Sequence, residues 1–226
     1  MYPVFLNLKG SLCVVLGGGK VAERKVKKLL EEKAEVLIIS PKITDRINEL
    51  CKKNKVKFIK REYEFGDIPE NTLLVFECTG DIEVAKKARK ECEMKKVLMN
   101  SATVPELCDF IVPASFKKGS IHIALSTEGK CSAFAKALRE KIEKEIPYEL
   151  SVKLNTIEKL RKNLKKQKGK KGKEDDKILL EISRLAVENP KLPQESFSKI
   201  IEEKIREIKS KETKKEAKNK KRAGER

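Results

Sequence analysis

The chain has 226 residues, enough for one ordinary domain with attachments or for two small ones. Lys and Arg number 53 against 35 Asp and Glu, a formal charge of +18, and most of that excess falls past residue 150. Such a balance suits a polyanionic partner, while six scattered cysteines without a CxxC pair exclude a zinc ribbon and a thioredoxin-like motif.

The opening MYPVFLNLKG lacks the basic start and long apolar run of a signal peptide, and no stretch reaches the roughly 18 apolar residues that span a bilayer. Reduced, packed thiols in a cytoplasmic protein that uses no membrane are therefore expected. SLCVVL then reads as a buried strand, and KVAERKVKKLLEEKA as a helix with Val21, Ala22, Val26, Leu29 and Leu30 inward. EVLIIS is a second strand, stopped by Pro41, and ITDRINELCKK a second helix. KVKFIKREY and NTLLVFECTG supply two more strands, EVAKKARKECEMK a third helix and KVLMNSA a fifth strand.

Strand and helix alternating through short connections imply parallel strands with right-handed crossovers. Apolar runs such as LLVF fit strands covered on both faces. The expected fold is α/β, a doubly wound parallel sheet. Past Asn100 the pattern changes. DFIVPAS and SIHIALST read as two strands around the turn KKGS, a small α+β segment completed by the helix CSAFAKALREKIEKEI. Beyond Pro147 the chain reads as helical, with one stripe through Leu150, Leu154, Ile157, Leu160 and Leu164 and another through Phe197, Ile201, Ile205 and Ile208. KKQKGKKGKEDD between them is expected to be a loop, and the charged tail from Lys209 to be disordered.

Three stretches carry chemistry. Gly17-x-Gly19-x-x-Ala22 closes the first strand and opens the first helix, with Gly18 between. In a dinucleotide site the first glycine makes the tight turn and the second admits the pyrophosphate. The third small residue lets helix pack on strand, and the phosphates meet free N–H groups at the helix N-terminus. The carboxylate usual at the end of the second strand is absent. Ser40, Pro41 and Lys42 stand there, and residue types alone allow either NAD or NADP. Second, Thr79 and Gly80 share the carboxyl edge of the sheet with Asn100 to Thr103, the edge where ligands gather in such folds. Third, Ser126, Thr127 and Gly129 precede a helix and could hold carboxylates through hydroxyls and N–H groups. A lone histidine, His122, offers no metal cluster, and the lysine run after Arg161 lacks the aromatic residues of a nucleic-acid groove, so no nucleic-acid partner is expected.

Taken together, GGGKVAERK, NSATVPELCDFIVPA and IALSTEGKCSAFAKALREKIE resemble the precorrin-2 dehydrogenase/sirohydrochlorin ferrochelatase family, the oxidising module of siroheme synthases. The resemblance implies a Rossmann-like NAD-binding domain over 1–112, a dimerisation segment over 113–147, a helical region over 148–208 and a charged tail over 209–226. It implies homodimers that use NAD to oxidise precorrin-2, supplied by a separate methyltransferase, to sirohydrochlorin, some members then inserting ferrous iron. It implies NAD contacts at Lys20, Val21, Pro41 and Lys42, with Gly17, Gly18, Gly19, Thr79 and Gly80 around them. Substrate contacts fall on Asn100, Ser126, Thr127 and Gly129. An octacarboxylate tetrapyrrole suits the basic chain. Where the best-known bifunctional members carry an aspartate, this sequence has Thr103. A hydroxyl is no general base near neutral pH without an activating neighbour. Asp109, in LCDF, is the carboxylate considered in its place, so Thr103 and Asp109 are the candidate catalytic residues, and iron insertion is the step this substitution endangers. The alternative is a non-catalytic sensor of NAD or of a tetrapyrrole on the same fold.

Overall fold

The computed structural model describes residues 1–168 and 173–206. Two compact units divide the chain, Met1–Val112 and Pro113–Arg226.

The first unit is a five-stranded parallel sheet in the order β3-β2-β1-β4-β5. Its strands are β1 (Leu12–Leu16), β2 (Glu35–Ile39), β3 (Lys57–Ile59), β4 (Thr72–Glu77) and β5 (Leu98–Ser101), and its helices α1 (Lys20–Glu31), α2 (Asp45–Lys52) and α3 (Ile82–Lys95). The apolar runs are buried on both faces, as parallel strands require. Cys13 and Val15 of β1 pack with Ala22, Val26 and Ile47 from α1 and α2. Val14 and Leu16 face the other way, with Ala88 and Cys92 of α3 and with Tyr63 and Ile68 from the β3–β4 connection. Helices thus cover both faces, the doubly wound α/β fold expected. The chain reverses direction across the sheet between β1 and β4, which puts the switch point at the glycine turn.

β3 is shorter than KVKFIKREY suggested. Arg61 turns out of the strand to grip Asp67 with both guanidinium nitrogens, at 2.5 and 2.6 Å, and Glu91 gathers the rest of the connection. That carboxylate, fully buried in α3, accepts from Tyr63 Oη at 2.5 Å, Gly66 N at 2.8 Å, Ile68 N at 3.0 Å and Lys95 Nζ at 3.1 Å.

In the second unit β6 (Ala114–Lys118) and β7 (Ile121–Leu125) form an antiparallel hairpin, followed by α4 (Ser132–Glu145). The first strand begins later than DFIVPAS suggested, because Pro113 has no N–H to enter a ladder. α5 (Tyr148–Lys168), α6 (Lys173–Glu188) and a helix over 194–206 then share a core of Ile157, Leu160, Ile178, Ile182, Phe197 and Ile201. The loop expected over 165–176 is helical on both sides of residues 169–172, since lysine and glutamine are good helix formers. Residues 169–172, Ile208 and the tail from Lys209 lie outside the described residues. Leu154 is 39% exposed, and its expected place in the buried stripe is taken by Lys153, 1% exposed. Lys153 donates to the carbonyls of Asn189 and Pro190, both at 2.6 Å, and lies 5.7 Å from the Phe197 ring centre. No helix among the described residues is long and apolar enough to cross a membrane.

Candidate functional site

The carboxyl edge of the sheet opens into a cleft of about 550 Å³, walled by the glycine turn, by Ile39 to Thr44 after β2, by Glu62 and Tyr63, and by Cys78, Thr79, Asp81 and Val84. Its three glycines do three different things. Gly17 has φ +102°, and a Cβ there would sit 2.6 Å from the carbonyl oxygen of Cys78, so only glycine allows β1 to turn against the end of β4. Gly18 presses on the other wall. A Cβ would fall 2.1 Å from the Lys42 carbonyl oxygen, and the Gly18 carbonyl accepts from Thr44 N at 3.0 Å. Gly19 faces open space, with nothing within 4 Å of where a Cβ would be.

Gly19 is also the N-cap of α1 and supplies no side-chain cap. The N–H groups of the first turn, at Lys20, Val21 and Ala22, therefore point out of the helix end without intrahelical partners. An open approach, free donors and the positive end of a helix suit the pyrophosphate of a dinucleotide. Ala22 is fully buried against the sheet, as the third small position requires. Pro41 and Lys42 line the same cleft. Ser40 is 5% exposed, and its hydroxyl is spent on the Lys42 carbonyl at 2.6 Å. Glu62, which sequence reasoning passed over, adds a carboxylate to this cleft.

Beside the cleft, the ends of β4 and β5 are tied together by a second buried glutamate. Glu77 has no exposed surface. Its Oε1 accepts from Thr79 N and Thr79 Oγ1, each at 2.7 Å, and from Thr103 Oγ1 at 2.9 Å; its Oε2 accepts from Ser101 Oγ at 2.5 Å. The Thr103 oxygen in turn accepts from Gly80 N at 3.1 Å. Thr79, Gly80 and Thr103 are thus brought together, as their places at one sheet edge suggested, around a residue the sequence did not flag. Its one signal was an acidic residue closing the otherwise apolar run LLVFE.

Asn100 is spent on its own unit. Its Oδ1 accepts from Lys25 Nζ at 3.1 Å, and its Nδ2 donates to the Phe110 carbonyl at 2.9 Å. Lys25 lies 5.4 Å from the centre of the Phe76 ring, and burial pushes its ammonium below the usual lysine value. Asp109 stands apart from Thr103 in its bonding. It accepts from Met99 N at 2.9 Å and pairs with Arg89 at 2.5 Å. Burial opposes its ionisation, but the Arg89 guanidinium and the Met99 N–H prevail and hold the carboxyl below the ordinary range. In the second unit Ser126, Thr127 and Gly129 form a self-bonded turn. Ser126 Oγ accepts from Glu128 N at 3.0 Å, Thr127 Oγ1 donates to the Cys131 carbonyl at 3.2 Å, and Gly129 has φ +81°. Among the described residues no group of three or more His, Cys, Asp or Glu side chains could hold a metal ion.

Comparison with known proteins agrees with this geometry. Residues 4–114 match a family model described as "Putative NAD(P)-binding". The siroheme synthase of Thioalkalivibrio sulfidiphilus is 34% identical over 146 residues, which cover 65% of this chain and 30% of that protein. The siroheme synthase of Nitrosococcus oceani is 34% identical over 145 residues, 64% of this chain and 31% of that protein. The chain therefore spans about a third of the length of the curated relatives it matches. A solved structure of SirC, precorrin-2 dehydrogenase, matches with a TM-score of 0.71 and 25% identity, covering 90% of this chain and 100% of that one. SirC matched along its whole length, the siroheme synthases over 145–146 residues and the NAD(P)-binding model over residues 4–114 together support the precorrin-2 dehydrogenase family for this chain.

Proposed function

We propose that the protein oxidises precorrin-2 to sirohydrochlorin with NAD as the acceptor. The observation that carries this reading is Gly19, a residue with empty space before it at the uncapped end of α1, on the rim of a cleft. The dinucleotide supplies hydride acceptance when bound. This chain's residues do the rest. The N–H groups of Lys20 and Val21 receive the pyrophosphate, Gly17 and Gly18 hold the turn close to its walls, and Pro41 and Lys42 flank the ribose. Thr79 and Gly80 form the far wall. The Glu62 carboxylate offsets the Lys42 ammonium in the same cleft, so a 2′-phosphate would gain less there than Lys42 alone would offer.

Thr103 stands at the reacting edge and Asp109 secures the loop beneath it, its charge already matched by Arg89. Asn100 acts on the substrate through Lys25, whose ammonium it orients. Ser126, Thr127 and Gly129 are proposed as carboxylate contacts, and a homodimer fed by a separate methyltransferase as the working context. Thr103 stands where the bifunctional members carry an aspartate, so we read the chain as a dehydrogenase first.

The test is an anaerobic assay of the protein with precorrin-2 and NAD, following NADH and sirohydrochlorin, then adding ferrous ion. NADH formed in step with sirohydrochlorin is the expected result. Tight NAD binding without NADH would overturn it and leave a sensor. Rapid iron uptake after oxidation would restore the second activity.

A further inference from the structure

Two glutamates of the first unit have no exposed surface, and their surroundings differ in kind. An ionised carboxylate removed from water costs several kcal/mol in practice unless charge or hydrogen bonds replace the solvent. Glu91 has the Lys95 ammonium at 3.1 Å. Glu77 has four donors, and all are neutral: one backbone N–H and three hydroxyls. A structural staple is satisfied more cheaply by a cation or by an uncharged glutamine. Glu77 is instead bonded, at the edge of the cleft, to three hydroxyls, groups that can hand a proton along a hydrogen bond.

The hydroxyls around it are not equivalent. Thr79 lines the dinucleotide cleft, and Thr103 does not. Thr103 is partly exposed, its proton is directed at Glu77 Oε1 over 2.9 Å, and one lone pair of its oxygen accepts from Gly80 N. A hydroxyl oxygen has two lone pairs, so one is left to receive a proton from outside.

We propose that Glu77 is the positioning and proton-storing carboxylate of the site, acting through the Thr103 hydroxyl. This rests on the dehydrogenase reading and deepens it. The substrate's departing proton forms a new O–H bond at Thr103 Oγ1 while Thr103's own proton passes to Glu77 Oε1. The electron pair left on the substrate enters the double bond that oxidation creates, and the dinucleotide is the hydride acceptor. Thr103 returns to its starting state, and Glu77 carries the proton until it passes back through the partly exposed Thr103 hydroxyl to solvent. The hydroxyl thus has the activating neighbour it needs, supplied by the adjacent strand rather than by its own loop.

The experiment compares wild type, Glu77→Gln, Thr103→Val, Thr103→Ser and the double variant Glu77→Gln with Thr103→Asp. Each is measured for NAD affinity by calorimetry, for fold by circular dichroism, and for kcat. Glu77→Gln keeps the shape and loses the proton sink, so kcat falls by about a hundredfold or more while the NAD Kd stays within about twofold. Thr103→Val falls by a similar factor, and Thr103→Ser, which keeps the hydroxyl, recovers at least about tenfold over Thr103→Val. Moving the carboxylate across the hydrogen bond, in the double variant, recovers at least about tenfold of the loss. A clasp without proton chemistry gives no such recovery. Unchanged kcat in Glu77→Gln, or parallel loss of NAD affinity and kcat without rescue, overturns the proposal and leaves the dehydrogenase reading standing. Should Glu77→Gln fail to fold, Thr103→Val matching Thr103→Ser overturns it instead. A wild type that binds NAD and makes no NADH overturns both, the dehydrogenase reading first.

Discussion

Two glycines in the same turn, two residues apart, should answer alanine in opposite ways. At Gly17 a Cβ lands 2.6 Å from one backbone atom of Cys78 and 2.8 Å from another, and the residue holds φ +102°. Backbone cannot swing aside as a side chain can. The left-handed conformation costs an alanine about 1–3 kcal/mol and the forced shift of β4 about 1–3 kcal/mol more. The sum, roughly 2–6 kcal/mol, is a large share of the ~5–15 kcal/mol that holds a domain folded. At Gly19 the same methyl meets nothing within 4 Å, and φ −80° with ψ −171° suits alanine. The unfolded chain loses about 0.4–1 kcal/mol of freedom and the N-cap a few tenths, so stability stays within about 1 kcal/mol.

Binding reverses the ranking. The methyl of Gly19→Ala occupies the approach to the first-turn N–H groups. Losing one charge-assisted hydrogen bond there removes about 1.5–3 kcal/mol, roughly ten- to a hundredfold in NAD affinity. Urea unfolding followed by far-ultraviolet circular dichroism, which suits a chain without Trp, measures the first quantity, and titration calorimetry with NAD the second. Gly19→Ala that binds NAD like wild type, or that unfolds as readily as Gly17→Ala, would refute the assignment of the phosphates to this turn.

Glu91→Gln should destabilise the first unit by about 1–3 kcal/mol in urea titrations at neutral pH. Burial works against the Glu91 charge, but Tyr63, Gly66, Lys95 and Ile68 together hold its pKa below the usual value; its contribution is therefore complete above about pH 4.3 and lost as pH falls through the folded value, and the variant should show a flatter acid limb. Lys153→Met should cost the second unit about 1–3 kcal/mol at neutral pH by orphaning the Asn189 and Pro190 carbonyls. Burial lowers the Lys153 pKa, so in the alkaline range the unfolded chain binds more protons and wild-type stability rises with pH towards the unfolded value, a rise the variant lacks. Of the six thiols Cys131 alone is exposed, whereas burial raises Cys13 and Cys78 to about 11 and Cys92 to about 12. One fast equivalent of an aromatic disulfide reagent, absent from Cys131→Ser, is the expected result, with Cys13, Cys78 and Cys92 silent until urea is added.

The order of strands and helices was legible because each apolar run is buried on both sides, and the glycine turn because it sits where β1 meets α1. What stayed illegible has one cause. The pattern treats charge as a mark of solvent, yet Lys25 lies three residues after Ala22 and four before Leu29 on the buried stripe of α1. Glu91 follows Ala85 and Ala88 in α3 by the same rule. Lys153 completes the spacing of Leu150, Ile157, Leu160 and Leu164 in α5, which displaced Leu154 outward. Glu77 closes β4 on its buried side. Partners distant in sequence, Asn100 for Lys25, Tyr63 for Glu91, Asn189 for Lys153 and Thr103 for Glu77, help reconcile these residues with burial, and those partners appear only once the chain is folded.

The partners also sort the four by purpose. Lys153 caps two carbonyls at a helix end, and Glu91 collects a connection that has no secondary structure of its own; each acts where backbone groups were without partners. Lys25 locks Asn100 and through it the Phe110 carbonyl, fixing the loop after β5. Glu77 differs, because three of its four bonds end on hydroxyls rather than on backbone, and hydroxyls both give and take protons. A clasp needs donors that stay donors. A proton path needs groups that can exchange roles, and at the carboxyl edge of this sheet the buried charge is surrounded by that kind.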